Sequence, residues 1–277
     1  MHERLDVPIA ILLLVSLTLA CSSLPAKRAT WHVALEIDLP APDRAAVAEK
    51  TVAVIESRLN ALGILNPKVQ VQGAPSNGRI VVNLPDVPDH ERLKKLITTE
   101  GRLEIAAVVS PPSPSPLKTY TTKEEALASL EGSVPPNRRV LSYSEQNGRV
   151  ASLPNAEEAQ KQKKWVVLES PPIVDGSGLR NASAVQSRTG ADDYQIAFSL
   201  KQSAADRFGA WTGAHVNSYI AVVLNGDVKS IAFIKSRISD QGEISGKFVK
   251  QSAEDLATIL RSGALPAPVK IVEDGSN

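Results

Sequence analysis

Residues 194–238 read YQIAFSLKQSAADRFGAWTGAHVNSYIAVVLNGDVKSIAFIKSRI, a strand, a helix and a hairpin in one continuous run. Ile196, Phe198 and Leu200 alternate with polar neighbours, the period of a half-buried strand. Ser203 with Asp206 three residues on forms a capping-box signal, and Ala204, Phe208 and Trp211 then recur at helical spacing until Asn217. Residues 219–224 read as a buried strand, Asn225-Gly226 as a type I′ turn, and 228–238 as the returning strand.

Downstream, Gly242 introduces a strand over 243–249, and Ser252 with Asp255 repeats the capping-box pattern before the stripe Ala253, Leu256, Ile259 and Leu260. Arg261 and Gly263 close that helix, and the run GALPAP over 263–268 leads into a strand over 269–272, where Pro266 and Pro268 fit only the start of a strand or an edge. Strand, helix, paired strands, helix, strand is the order of a split βαβ, or ferredoxin-like, unit. The same order is met upstream. A strand over 31–39 precedes a long helix opened by Asp43, whose stripe is Val47, Thr51, Val54, Ile55, Leu59 and Leu62 and whose end is Gly63. A hairpin around Asn77-Gly78, a helix from Asp89 packing Leu93, Leu96 and Ile97, and a last strand over 103–109 complete it. The prediction is an α+β fold of two ferredoxin-like (βαββαβ) antiparallel-sheet subdomains joined by the Pro-rich connector at 111–116. Beyond the connector, Thr122 with Glu125 caps a short helix, and a strand at 138–143 pairs with one at 165–169. Residues 147–164 form a polar exposed loop, and Lys161-Gln162-Lys163-Lys164 reads as a solvated face or as a contact for lipid headgroups or an acidic partner.

Charge and composition exclude several roles. Lys plus Arg number 31 against 30 Asp plus Glu, so no global field attracts nucleic acid or an anionic membrane. Aromatics at 4% leave no stacking platform for bases. The single Cys21 excludes an internal disulfide and any multi-cysteine metal site.

Arg4 in a short polar segment, an apolar run over 7–19 and the tetrapeptide before Cys21 resemble a bacterial lipoprotein signal. The expectation is a signal peptide at 1–20, cleavage before Cys21, diacylation of its sulfur and a tether at 21–30. An uncleaved anchor or an ordinary signal peptide is the other reading.

Catalytic patterns are missing from the sequence. His2, His32, His90 and His215 lack metal-ligand spacing, and neither a Gly-x-Ser-x-Gly elbow nor a Walker loop occurs. Asp38, Asp175, Asp192 and Asp193 fall at strand ends or turns, where Asp serves local hydrogen bonding, and Trp31, Trp165 and Trp211 read as packing residues. No catalysis, cofactor or metal is expected.

The runs YIAVVLNGDVKSIAFI at 219–234 and GEISGKFVKQSAEDLATILRSGALPAPVKIVE at 242–273 resemble the end of the periplasmic P1 region of SecD, the membrane subunit that assists the Sec protein-export channel. VDGSGLRNASAV at 174–185 resembles the start of the P1 head, and RLNALGILNPKVQVQGAPSNGRIVVNLPDVPDHERLKKLITTEGRLEIAAVV at 58–109 resembles the P1 base. The resemblance implies a base-like subdomain at 31–110, a connector and insertion at 111–172, and a head-like subdomain with a return strand at 173–277. Family members carry a Gly-Leu-Asp-Leu-x-Gly-Gly element where this chain has Thr30-Trp31-His32-Val33, and a membrane domain beyond P1. The expectation is therefore a lipid-tethered P1 region without the proton-coupling half. It would bind Sec translocase components or exported unfolded polypeptides on the periplasmic face of the bacterial envelope. Its candidate client or hinge contacts are Tyr219, Phe233, Leu265, Pro266 and Pro268. The prolines act as a stiff hinge or merely blunt an edge strand. The alternative is a structural envelope lipoprotein that keeps the P1 fold and binds an envelope partner.

Overall fold

A computed structural model describes residues 30–64, 66–85, 87–109, 117–144, 163–187 and 193–276. Cys21, the signal at 1–20, the connector at 111–116, Asp192 and most of the polar loop at 147–164 lie outside the described residues.

The chain begins with β1 (Thr30–Ile37), α1 (Ala41–Ala61), β2 (Lys68–Val71), β3 (Arg79–Pro85), α2 (His90–Thr98) and β4 (Leu103–Ala107). The insertion supplies α3 (Lys123–Ala128), β5 (Arg138–Ser144) and β6 (Lys163–Glu169). There follow β7 (Val174–Asp175), β8 (Leu179–Gln186), β9 (Tyr194–Leu200), α4 (Gln202–Ala214), β10 (Tyr219–Leu224), β11 (Asp227–Phe233), β12 (Gln241–Phe248), α5 (Lys250–Ser262) and β13 (Val269–Ser276). These build a mixed α/β fold with three sheets, ordered β13-β1-β3-β2, β6-β5-β11-β10-β4-β7 and β12-β9-β8.

Two strands close sheets other than those expected. β4 was to end the first unit, but it pairs antiparallel with β10, Leu103 opposite Leu224 and Ala107 opposite Ile220. Its place in the first sheet goes to β13, antiparallel to β1 with Ile37 opposite Val269 and Trp31 opposite Ser276. The cause is burial on two faces. Leu103 and Ile105 of β4 join Ile220, Val222 and Leu224 in one core, while Ala106 and Val108 join Ala221 and Val223 in another. Two near-continuous apolar strands of this kind belong at a sheet centre covered on both sides. β13 is an edge strand, as its two preceding prolines require. The second unit differs as well: β9 lies in the three-stranded sheet, β10 and β11 in the six-stranded one, and β11 stops at Phe233 rather than running on to 238. The expected pairing of 138–143 with 165–169 is present, Arg138 opposite Glu169 and Ser144 opposite Lys163.

Both capping boxes in the second half go unused. α4 starts at Gln202 and α5 at Lys250 with no side-chain cap, since Asp206 accepts from Gln202 Nε2 (2.8 Å) and Asp255 is drawn to Arg92. Asp89 and Thr122 do cap their helices, accepting from the backbone N–H of Arg92 (3.0 Å) and Glu125 (3.1 Å). The Asn225-Gly226 turn has the positive φ values of a type I′ hairpin, 51° and 82°.

The first sheet packs on α1 and α2 through Ile55 and Leu59 of α1, Leu93 and Ile97 of α2, and Leu265, Ala267 and Val269 from the returning segment. α5 turns Ala253, Leu256, Ala257 and Leu260 into the other large core. Leu260→Ala should therefore cost about 3 kcal/mol through a core cavity, while Lys163→Ala on the insertion should stay within about 0.5 kcal/mol. Equal midpoints in urea would contradict this assignment of the stripe.

β13 is tied down by Asp274, which accepts from Trp31 Nε1 (2.8 Å) and Lys94 Nζ (2.8 Å). The Lys94 bond first, then the Trp31 bond, hold its carboxyl below the usual Asp range. A folded pKa below the unfolded one means stability that is present above the unfolded value, about 3.9, and is lost as pH falls through the lower folded value. Wild type should thus exceed Asp274→Asn in urea melts at pH 7, with the gap closing below about pH 4; a gap independent of pH would remove the carboxylate from the account.

Candidate functional site

Since β4 leaves the first sheet and β13 returns to it, the chain crosses twice between the two large cores. Both crossings meet at Arg58. This residue sits on the buried face of α1 with 0% of its surface exposed. Its Nη1 donates to the carbonyls of Leu96 (2.8 Å) and Thr99 (2.5 Å) at the end of α2, and its Nη2 to those of Glu100 (3.1 Å) and Gly263 (3.1 Å). One planar fork thus serves the carbonyls left over at the α2 C-terminus and the backbone just past α5. Burial pulls its pKa down to about 10, so the group remains a cation at neutral pH. Leu265 N–H donates to Glu100 O (2.8 Å), joining the outgoing and returning segments directly.

Above this clamp α2 and α5 border a cleft of ≈290 Å³. Its apolar wall is Leu96 from α2, Leu224 at the hairpin tip, Phe248 at the end of β12, and Leu256 and Ile259 from α5. Arg92 and Asp255 bridge the two helices, Nε to both carboxylate oxygens (3.1 Å each) and Nη2 to Oδ1 (2.7 Å). That bond raises the Arg92 pKa. The bidentate geometry fixes the separation of the helices as well as their attraction. Lys95 and Lys229 add positive charge at the rim, Lys229 lying 3.8 Å from Asp227. The hairpin tip is held in register with β4, because Asn225 N–H donates to Arg102 O (2.9 Å) and Arg102 N–H to Asn225 Oδ1 (2.8 Å). The arrangement offers apolar area with a polar border, the chemistry of binding.

The residues singled out from sequence fall in two places, neither lining the cleft. Tyr219 and Phe233 face each other at the open end of the β10–β11 hairpin, ring centroids 5.2 Å apart, with Phe233 41% exposed. Leu265, Ala267 and Val269 are buried in the first core, whereas Pro266 and Pro268, which alternate with them, are exposed; Asp38 N–H donates to Pro268 O (2.8 Å). Trp31 is a core residue, and Asp175 caps a turn by accepting from Ser177 N–H (2.9 Å). Among the described residues no three His, Cys, Asp or Glu side chains come together in a way that could hold a metal ion, and no helix is long and apolar enough to cross a membrane. Arg58 and Arg92 carried no role in the sequence pattern, and Asp255 only that of a capping-box partner for Ser252, whereas in the structure it binds Arg92. Arg58 did carry a signal, since it lies three residues after Ile55 and seven after Thr51, on the buried stripe.

Residues 151–267 match the family model for the SecDF P1 head subdomain, and residues 48–110 match that for the N-terminal part of the P1 domain of protein translocase subunit SecDF. The protein translocase subunit SecD of Aquifex aeolicus is 32% identical over 228 residues, and that of Koribacter versatilis 35% over 233. These alignments cover 82% and 84% of this chain, which spans only 39% of the length of either relative. Among solved structures, SecDF in a super-membrane-facing form superposes with a TM-score of 0.68 at 29% identity, over 89% of this chain and 30% of that one. A second SecDF structure, described as a membrane component that enhances protein export, gives 0.64 at 30% identity and covers 87% of this chain and 98% of its own.

Proposed function

The chain belongs to the SecD family, over its P1 region, and on that premise we propose that it is a non-catalytic, extracytoplasmic binding module that assists protein export. It takes extended segments of exported polypeptides in the cleft between α2 and α5. Membrane attachment is through lipid at Cys21, and Sec translocase components are its partners. In this reading the first sheet is a ferredoxin-like unit in which β13 serves as the fourth strand. The observation that carries the reading is the cleft itself, an apolar wall set between helices that Arg92 and Asp255 hold at fixed spacing.

Pro266 and Pro268 stiffen the one backbone segment that runs from α5 into β13. They make that link a stiff coupling between the two cores, beside the Arg92–Asp255 bridge that sets the spacing of α2 and α5 around the cleft.

The test is titration of the folded chain with an unfolded, export-competent polypeptide at low and high salt. Binding should be weak and nearly independent of salt, because apolar contacts dominate and the net charge is +1. Phe248→Ala should weaken it by about tenfold, and Pro266→Ala with Pro268→Ala should weaken it with the melting temperature intact. Absence of binding at any salt would favour a structural envelope lipoprotein instead.

A further inference from the structure

The insertion carries a surface that the cleft does not use. Tyr120 and Trp165 form an antiparallel pair that exchanges both backbone hydrogen bonds, Tyr120 N–H to Trp165 O (2.9 Å) and Trp165 N–H to Tyr120 O (2.8 Å). Directly opposed residues of this kind present their side chains on one face. Three ammonium groups collect over the two rings: Lys118 Nζ lies 5.3 Å from the Tyr120 centroid, and Lys123 and Lys163 Nζ lie 5.8 Å and 5.5 Å from that of Trp165. Among the described residues none of these lysines makes an ion pair with a carboxylate.

The nearby acid Glu125 is committed elsewhere. It accepts from the N–H (3.0 Å) and hydroxyl (2.6 Å) of Thr121, and those bonds hold its pKa down. Glu124 is the other acid of α3 and is exposed. Lys123 is the first residue of α3, where the helix dipole disfavours a cation, so helix stability does not account for its charge. Tyr120 and Trp165 are half-buried, each with an apolar body and one polar group.

We propose that this face docks on an anionic phospholipid surface, with the lysines meeting headgroup phosphates and the two rings lying at headgroup level. Tryptophan and tyrosine settle at that level of a bilayer, and lysine stems run along apolar surface while the charge stays wet. The cluster contains no arginine. A lysine ammonium is a point charge without directional preference, which suits mobile phosphates, whereas a folded acidic partner is met better by the guanidinium fork. Such contact would orient a tethered molecule on the membrane rather than leave it free to tumble.

The experiment is flotation of the full chain with vesicles of phosphatidylcholine alone or with about 30% phosphatidylglycerol. Using the full chain makes any contribution of the N-terminal segment common to both vesicle types. Phosphatidylglycerol should raise partitioning, the gain should vanish near about 0.5 M salt, and each lysine should account for about fivefold. Lys118→Ala, Lys123→Ala and Lys163→Ala together should erase the gain, about a hundredfold, with unchanged melting, while the three Lys→Arg replacements keep it. Equal partitioning on the two vesicle types, or a gain that survives the triple alanine variant, overturns the proposal. So does binding of polyglutamate by a chain that ignores the vesicles, which would assign the face to an acidic polypeptide.

Discussion

Arg58→Ala should lower stability in urea by about 3 to 5 kcal/mol, the range for breaking up a buried charged hydrogen-bond set. The substitution leaves the carbonyls of Leu96, Thr99, Glu100 and Gly263 without the donor they now share. It also opens a space the size of a guanidinium between α1 and the ends of α2 and α5. The depressed pKa works in the opposite sense. A cation whose folded pKa is pulled down to about 10, below its ordinary value, costs stability everywhere below pH 10, and that cost is relieved as pH rises above the folded value. The four bonds must exceed this cost if Arg58 holds the crossings together. Arg58→Lys keeps the charge but not the fork, so it should recover only a minor part of the loss. A loss under about 1 kcal/mol for Arg58→Ala, the level of a surface change, would remove the clamp from the account.

Gly101→Val should cost about 4 kcal/mol, from two causes at one atom. Gly101 has φ of +76°, a region that β-branched residues scarcely adopt, and a Cβ there would lie 2.5 Å from Ile259 Cγ2 and 3.1 Å from Arg58 Nη2. Ile259 belongs to α5 and Arg58 to α1, so neither can yield without disturbing the junction. Gly63→Val is the control, since its φ of +79° carries the backbone strain but nothing lies within 4 Å of the added Cβ. The difference between the two variants in urea midpoint isolates the steric part; equal midpoints would mean that Ile259 moves aside freely.

The local elements were legible in the sequence wherever a few neighbouring residues set them. Asn225-Gly226 specified its turn, Asp89 its cap, and Leu256 with Leu260 the buried side of α5. What could not be read was which strands sit side by side. LEIAAVV over 103–109 and IAVVL over 220–224 are both runs without alternation, and that pattern already argued for a covered central position. Taken in chain order, they were assigned to different units instead. The same limit hid the cleft. Arg92 and Asp255 lie 163 residues apart, and Asp255 looked like the partner of Ser252 in a capping box because that pairing is local. A side chain offered a local and a distant partner took the cation, whose charge-assisted bond is the stronger. Tyr219 and Phe233 face each other only because a register shift between Val222 and Val223 moves the pairing on by one, and five residues of strand, roughly 17 Å, separate Tyr219 from the Leu224 that lines the cleft.

Photocrosslinking reports directly on whether the cleft holds polypeptide. A photoreactive side chain placed at Phe248, and separately at Ile271 on the exposed part of edge strand β13 and at Phe233 at the open end of the hairpin, would be irradiated with a labelled unfolded export substrate. The cleft account predicts adducts at Phe248 that excess unlabelled substrate removes and that a folded protein does not form, with little at Ile271 or Phe233. Adducts at Ile271 or Phe233 with none at Phe248 would contradict it and place the polypeptide on a sheet edge or the hairpin end instead.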